Sequence, residues 1–158
     1  MKNFLCTLII IIISACSNQK DEKMGSKQTF PGNSEEQWIV YNTKDSIPKV
    51  LNDALLHLHK GNFALANPNE SYNATDNIID SLPRQQLSLI SKKGEQWRLT
   101  YVQGGFGKYN VFVHCEIKND SIYNLVAAQS LLPLNNNDSI DKYLAGNELI
   151  PKYVQVTQ

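Results

Sequence analysis

This chain lacks a charge surplus of either sign. Its 158 residues carry 15 acidic and 15 basic side chains, so it has no basic excess of the kind that grips a nucleic-acid backbone, and no nucleic-acid partner is expected. It also lacks a bilayer-spanning run. The most extended apolar stretch, Phe4 to Ile13, is far shorter than the roughly 20 residues a membrane helix needs. Histidine and cysteine are scarce, three of each, and no spacing among them suits zinc. His57 and His59 are two residues apart and so diverge by about 200° around a helix axis, whereas ligand pairs on a helix must be three or four apart. No Gly-x-Ser-x-Gly nucleophile turn occurs. What is present, 42% hydrophobic and 19% charged residues, is enough for the core of one domain and too lightly charged for a disordered chain.

The N-terminus is organised differently from the rest. Lys2 precedes the apolar stretch, and Ile13-Ser14-Ala15-Cys16 closes it. A branched aliphatic, two small residues and a cysteine are what a lipoprotein peptidase requires around a thiol that takes diacylglycerol as a thioether. The segment resembles the lipobox of bacterial lipoproteins. The resemblance implies a signal peptide over residues 1–15, a lipid-bearing Cys16 (acyl chains such as palmitate) and attachment to a bilayer, since two or more chains hold firmly where one is marginal. Cys6 then leaves with the signal and Cys16 is alkylated. Cys115 is left as the only thiol, so no intramolecular disulfide is possible.

Residues 16–36 are polar, aperiodic and punctuated by Gly25, Pro31 and Gly32. They read as a flexible tether with a reach of about 25 Å. Within it, Gln19-Lys20-Asp21-Glu22 is similar to the short signal that sends Bacteroidota lipoproteins to the outer face of the outer membrane. The resemblance implies a surface location; a periplasm-facing one is the alternative. Four Asp-Ser-aliphatic tripeptides, at Ser46, Ser81, Ser121 and Ser139, resemble the acceptor of Bacteroidota O-glycosylation. Asp-Ser is also ordinary cap and turn chemistry.

Residues 37–158 are expected to form one α+β domain: one amphipathic helix packed on a four-stranded antiparallel meander, with a short C-terminal helix. Residues 36–43 read as a short strand. Asp45-Ser46 is expected to cap a helix with Pro48 in its first turn. Ile47, Val50, Leu51, Ala54, Leu55 and Leu58 line one face of that helix and Gly61 ends it. Residues 62–84 read as an Asn-rich loop. Period-2 runs follow: Leu87 and Leu89; Trp97, Leu99 and Tyr101; Val111, Val113, Cys115 and Ile117; then residues 121–128. Turns at 92–95, 104–107 and 119–120 separate them. Asp138-Ser139 is expected to cap the last helix, running to about Leu144.

Cys115 shares its face with three aliphatics, which makes it core, while His114 points the other way. Gly104-Gly105-Phe106-Gly107 precedes a strand, not a helix, so it reads as a hairpin rather than a phosphate loop. Phe106, with those glycines, Tyr109 and Trp97, is the candidate binding surface. Asn67, Asn69, Glu70, Asn73, Asp76 and Asp80 supply oxygens without the calcium-loop order, and no metal or cofactor is expected. The expected function is therefore a binding or interaction module for a protein or glycan partner. The alternatives are a small hydrolase using Asp76, His57 and His114, or a structural envelope component. Cys16→Ser should leave the precursor uncleaved and unacylated, as read by intact mass; wild-type protein that begins elsewhere and carries no lipid would refute the lipobox.

Overall fold

The computed structural model describes residues 36–154. Cys16, Gln19, Lys20, Asp21 and Glu22 lie outside the described residues. Tyr109–Lys118 forms β5, and the sequence of this strand decides the architecture. Val111, Val113 and Cys115 point to one face and Phe112 and His114 to the other, and all five are buried. A strand buried on both sides needs cover on both sides. Its neighbours are β4 (Gln96–Gln103) and β6 (Ser121–Ser130), and β3 (Gln85–Lys93) lies beyond β4.

The expected four-stranded meander under one helix is corrected. The sheet has seven strands and is mostly antiparallel. β1 (Ile39–Tyr41) pairs antiparallel with β3, β2 (Leu65–Ala66) pairs parallel with β3, and β7 (Lys152–Tyr153) pairs antiparallel with β6. Two of these additions are two residues long, too short to show a period.

A helix covers each face. Helix α1 (Lys49–Leu58) buries Leu51, Ala54 and Leu55 against the face of Leu99, Tyr101 and Val113. Each leucine contributes about 1.5–3 kcal/mol by leaving water. Helix α2 (Asn137–Ala145) buries Ile140, with Leu134 and Leu149, against Leu89, Phe112 and Ala128 on the other face. The caps differ from those expected. Thr43, not Asp45-Ser46, caps a 3-10 turn at Lys44–Ser46, and Pro48 stands at the N-cap of α1 rather than inside its first turn. The Asn136 side chain, not Asp138-Ser139, caps α2 by accepting the Ser139 N–H at 2.8 Å. Among the described residues no helix is long and apolar enough to cross a membrane.

Leu87 and Leu89 do not share a face. A bulge places Leu87 opposite Tyr101 and Leu89 opposite Thr100, with Ser88 as the extra residue. Each leucine therefore feeds a different core. A second irregularity lies between β5 and β6, where Asn124 takes φ +53°. Two hairpins have the backbone their residues favour: Gly94 sits at φ +57°, and Asn119 and Asp120 at +48° and +55°.

The 67–84 segment is held by its own side chains. Buried Asn73 donates to the carbonyls of Ile79 and Leu82 at 2.9 and 2.8 Å and accepts the Ile79 N–H at 2.8 Å. Gly104 presses against this loop: a Cβ there would stand 1.9 Å from the Asn73 carbonyl oxygen. Gly104→Ala should therefore destabilise the domain by about 1–3 kcal/mol through forced displacement of the loop. Urea unfolding would measure this, and an unchanged midpoint would show that the loop yields freely.

Candidate functional site

The turn between β4 and β5 carries Phe106, 96% exposed between Gly105 at φ +105° and Gly107 at +84°. Both glycines have open space where a Cβ would lie, so positive φ rather than crowding selects them. Beside Phe106 is a cleft of about 340 Å³ whose walls include Tyr109, Gly104, Gln103, Arg84, Asp76 and Ile78. Trp97 is not part of this group. It sits at the opposite end of β4, stacked on Tyr41 with ring centres 6.0 Å apart and covered by the Lys92 ammonium at 5.4 Å. The candidate surface is thus Phe106, its glycines and Tyr109, without Trp97.

Arg84 and Gln103 also line a second cleft, of about 580 Å³, together with Asn62, Gln85 and His59. Gln85 is buried and donates its amide N–H to the Gln103 side-chain oxygen at 2.9 Å. Its own Oε1 is buried without a partner among the described residues. An acceptor left in that state costs about 1–3 kcal/mol. The two clefts form one polar tract that continues from Phe106 across Arg84 and Gln103.

His59 ends α1. Its ring packs on Phe63, and its Nε2 is hydrogen-bonded to the Tyr101 hydroxyl at 2.8 Å. Burial pushes the Tyr101 phenol up and draws His59 below its usual range. Both groups are therefore neutral near pH 7. No carboxylate is hydrogen-bonded to this pair among the described residues; Tyr101 and Phe63 fix the orientation of the imidazole. The members of this pair stand 42 residues apart, so no local spacing links them in the sequence.

On the α2 face, buried Arg98 bonds Asp141 at 2.6 Å, lies 4.1 Å from the centre of the Trp38 ring and approaches the Asn137 side-chain oxygen at 3.4 Å. His114 stands beside it, stacked with Phe112 and edge-on to Trp38. Burial, then the Arg98 charge, lowers His114 to about 4, against smaller opposing pulls from Glu116 and Asp141. Burial pushes the Cys115 thiol up to about 12, which leaves it inert as a nucleophile at neutral pH.

The three residues of the hydrolase alternative are not assembled. His57 is exposed on α1, His114 is buried under the opposite face of the sheet, and Asp76 lines the Phe106 cleft. Among the described residues no three His, Cys, Asp or Glu side chains converge as a metal set. The loop oxygens have other duties: Glu70 takes the backbone and side-chain N–H groups of Asn67, and Asn67 takes the Lys44 N–H. Of the four candidate acceptor serines, Ser81 is exposed, and Ser46, Ser121 and Ser139 are half-buried.

No known protein family, no curated protein and no solved structure matches this chain.

The buried imidazole sets a pH dependence. Its folded value is depressed, so its contribution is complete above about pH 6.5 and is lost as pH falls toward 4. Between pH 7.5 and 4.5 the loss should be on the order of 2 kcal/mol. His59 acts with the same sign, so His114→Gln isolates the His114 share: urea unfolding at the two pH values should show a flatter dependence in the variant. Equal slopes would place the titration elsewhere.

Proposed function

We propose that this protein is a lipid-anchored binding module of the outer membrane, facing outward, whose domain recognises a glycan along the polar tract between Phe106 and Gln85. The anchor rests on the lipobox ending at Cys16, and the outward direction on Gln19-Lys20-Asp21-Glu22.

One observation carries the ligand reading. The tract joins a fully presented aromatic ring to the planar polar side chains of Arg84 and Gln103. A sugar ring offers what these groups lack. Its C–H face lies on an aromatic ring, as apolar surface does. Its hydroxyls both donate and accept, which suits the guanidinium of Arg84 and the amide of Gln103. The exposed Asp76 adds an acceptor at the rim. The two parts of the tract fall within the volume range of small-ligand sites.

The test uses the full lipoprotein in its host. Protease added to intact cells should cleave the wild type and spare a variant in which Gln19, Lys20, Asp21 and Glu22 are all Ala. In the same membranes, retention of envelope oligosaccharides should fall about tenfold in Phe106→Ala and in Arg84→Ala, a loss of about 1.4 kcal/mol each. Both side chains are exposed, so thermal stability should not move. Equal protection of wild type and quadruple variant would refute the outward location, and retention of no oligosaccharide by the wild type would refute the ligand.

A further inference from the structure

A third cleft, of about 530 Å³, lies on the α1 face and shares His59 and Tyr109 with the polar tract. Its character is different. Leu55 and Leu58 of α1, Val113 of β5 and Ile150 supply an apolar body. The segment after α2 forms one wall. Leu149 is anchored in the α2 core, β7 holds on through two residue pairs with β6, and the Val154 N–H donates to the Leu125 carbonyl at 2.9 Å. Ile150 is 67% exposed, so this wall can be reached from solvent.

The one charged group lining this cleft is a cation. Exposed Lys152 brings it, Gln129 and Tyr109 add neutral polar groups, and no carboxylate lines the walls among the described residues. His59 and Tyr101 bring a donor. A neutral imidazole has one N–H and a phenol one O–H, and their mutual bond consumes one of the two. If Tyr101 donates, the other ring N–H is spare. If His59 donates, the Tyr101 O–H is spare. Either way the pair keeps one proton to give, and no other hydrogen bond of either side chain is present among the described residues.

We infer that this cleft is a binding site for a free single-chain amphiphile with a carboxylate head, of the fatty-acid class. The hydrocarbon lies along Leu55, Leu58, Val113 and Ile150, and the carboxylate is held by Lys152 and the spare donor of the His59–Tyr101 pair. Charge complementarity chooses the head: a cation and a donor without an opposing carboxylate favour an anion and disfavour a cationic amphiphile. The volume suits one small molecule. The site does not depend on the glycan reading, because Phe106, Arg84 and Gln103 line other clefts.

Titration of the intact protein with dodecanoate below its micelle concentration tests this, with dodecyltrimethylammonium and dodecyl phosphate as comparison probes. Dodecanoate should bind saturably with one site, and at least tenfold more tightly than the ammonium. Lys152→Met, which keeps the apolar stem and removes the charge, should weaken dodecanoate about tenfold. Ile150→Glu places a carboxylate at an exposed wall position where folding is not at stake; it should abolish dodecanoate binding and reverse the preference toward the ammonium. Phe106→Ala should bind dodecanoate as the wild type does, which separates failure here from failure of the glycan site. Four results would overturn the proposal: no saturable dodecanoate binding, equal affinity for both charges, an unchanged Lys152→Met, or binding only after removal of residues 155–158. The last would assign the cleft to the chain's own C-terminal segment. Tighter binding of dodecyl phosphate would overturn the carboxylate assignment in favour of a phosphate-headed lipid.

Discussion

Strand β5 has no side that tolerates water, and most of the architecture follows from that. Val113 and Cys115 on one side and Phe112 and His114 on the other are almost wholly removed from solvent. One helix can cover only one face of a sheet. The chain therefore supplies α1 before the long strands and α2 after them, one for each side. The Ser88 bulge serves the same end: it turns Leu87 and Leu89 to opposite faces, so that β3 contributes to both cores.

The burial of the second face creates the main polar cost. Arg98 and His114 alternate outward from the first core, and in a sheet covered on one side they would meet water. Under α2 they do not. Arg98 is compensated by Asp141, Asn137 and the Trp38 ring, while its Nε is left without a partner. His114 is kept neutral. These groups contribute little net stability as a buried set, but they constrain where α2 can sit, because Asp141 and Asn137 both belong to it.

Parts of this were legible in the sequence, and the reasons are local. The buried stripe of α1 follows from the 3.6-residue spacing of Leu51, Ala54 and Leu55. The turns at Gly94 and Asn119-Asp120 follow from residue types that accept positive φ. The opposite orientations of His114 and Cys115 follow from strand alternation. The rest depends on contacts between distant parts of the chain. Leu65-Ala66 and Lys152-Tyr153 are strands only because β3 and β6 offer them an edge. A bulge leaves no mark in a run such as Leu87-Ser88-Leu89, so the expected shared face was wrong. The exposed turn at Phe106 was legible, where glycines announce a tight tip. The candidate surface was misjudged at Trp97, since adjacency to a turn in sequence does not say which end of the strand that turn occupies. The Gln85 acceptor and the His59–Tyr101 pair had no sequence signal.

The shortness of β1 bears on how the domain responds to tension. Any pull transmitted along the chain from residues before 36 enters the described domain at Ile39–Tyr41, an edge strand joined to β3 over three residue pairs. The ladders joining β3 to β6 are far longer, and the first to carry load is the weakest. Under such a pull β1 would part from β3 before the longer ladders open. That would draw Trp38 off Arg98 and Tyr41 off Trp97, so each face of the sheet would be opened at one edge while the long strands stay paired.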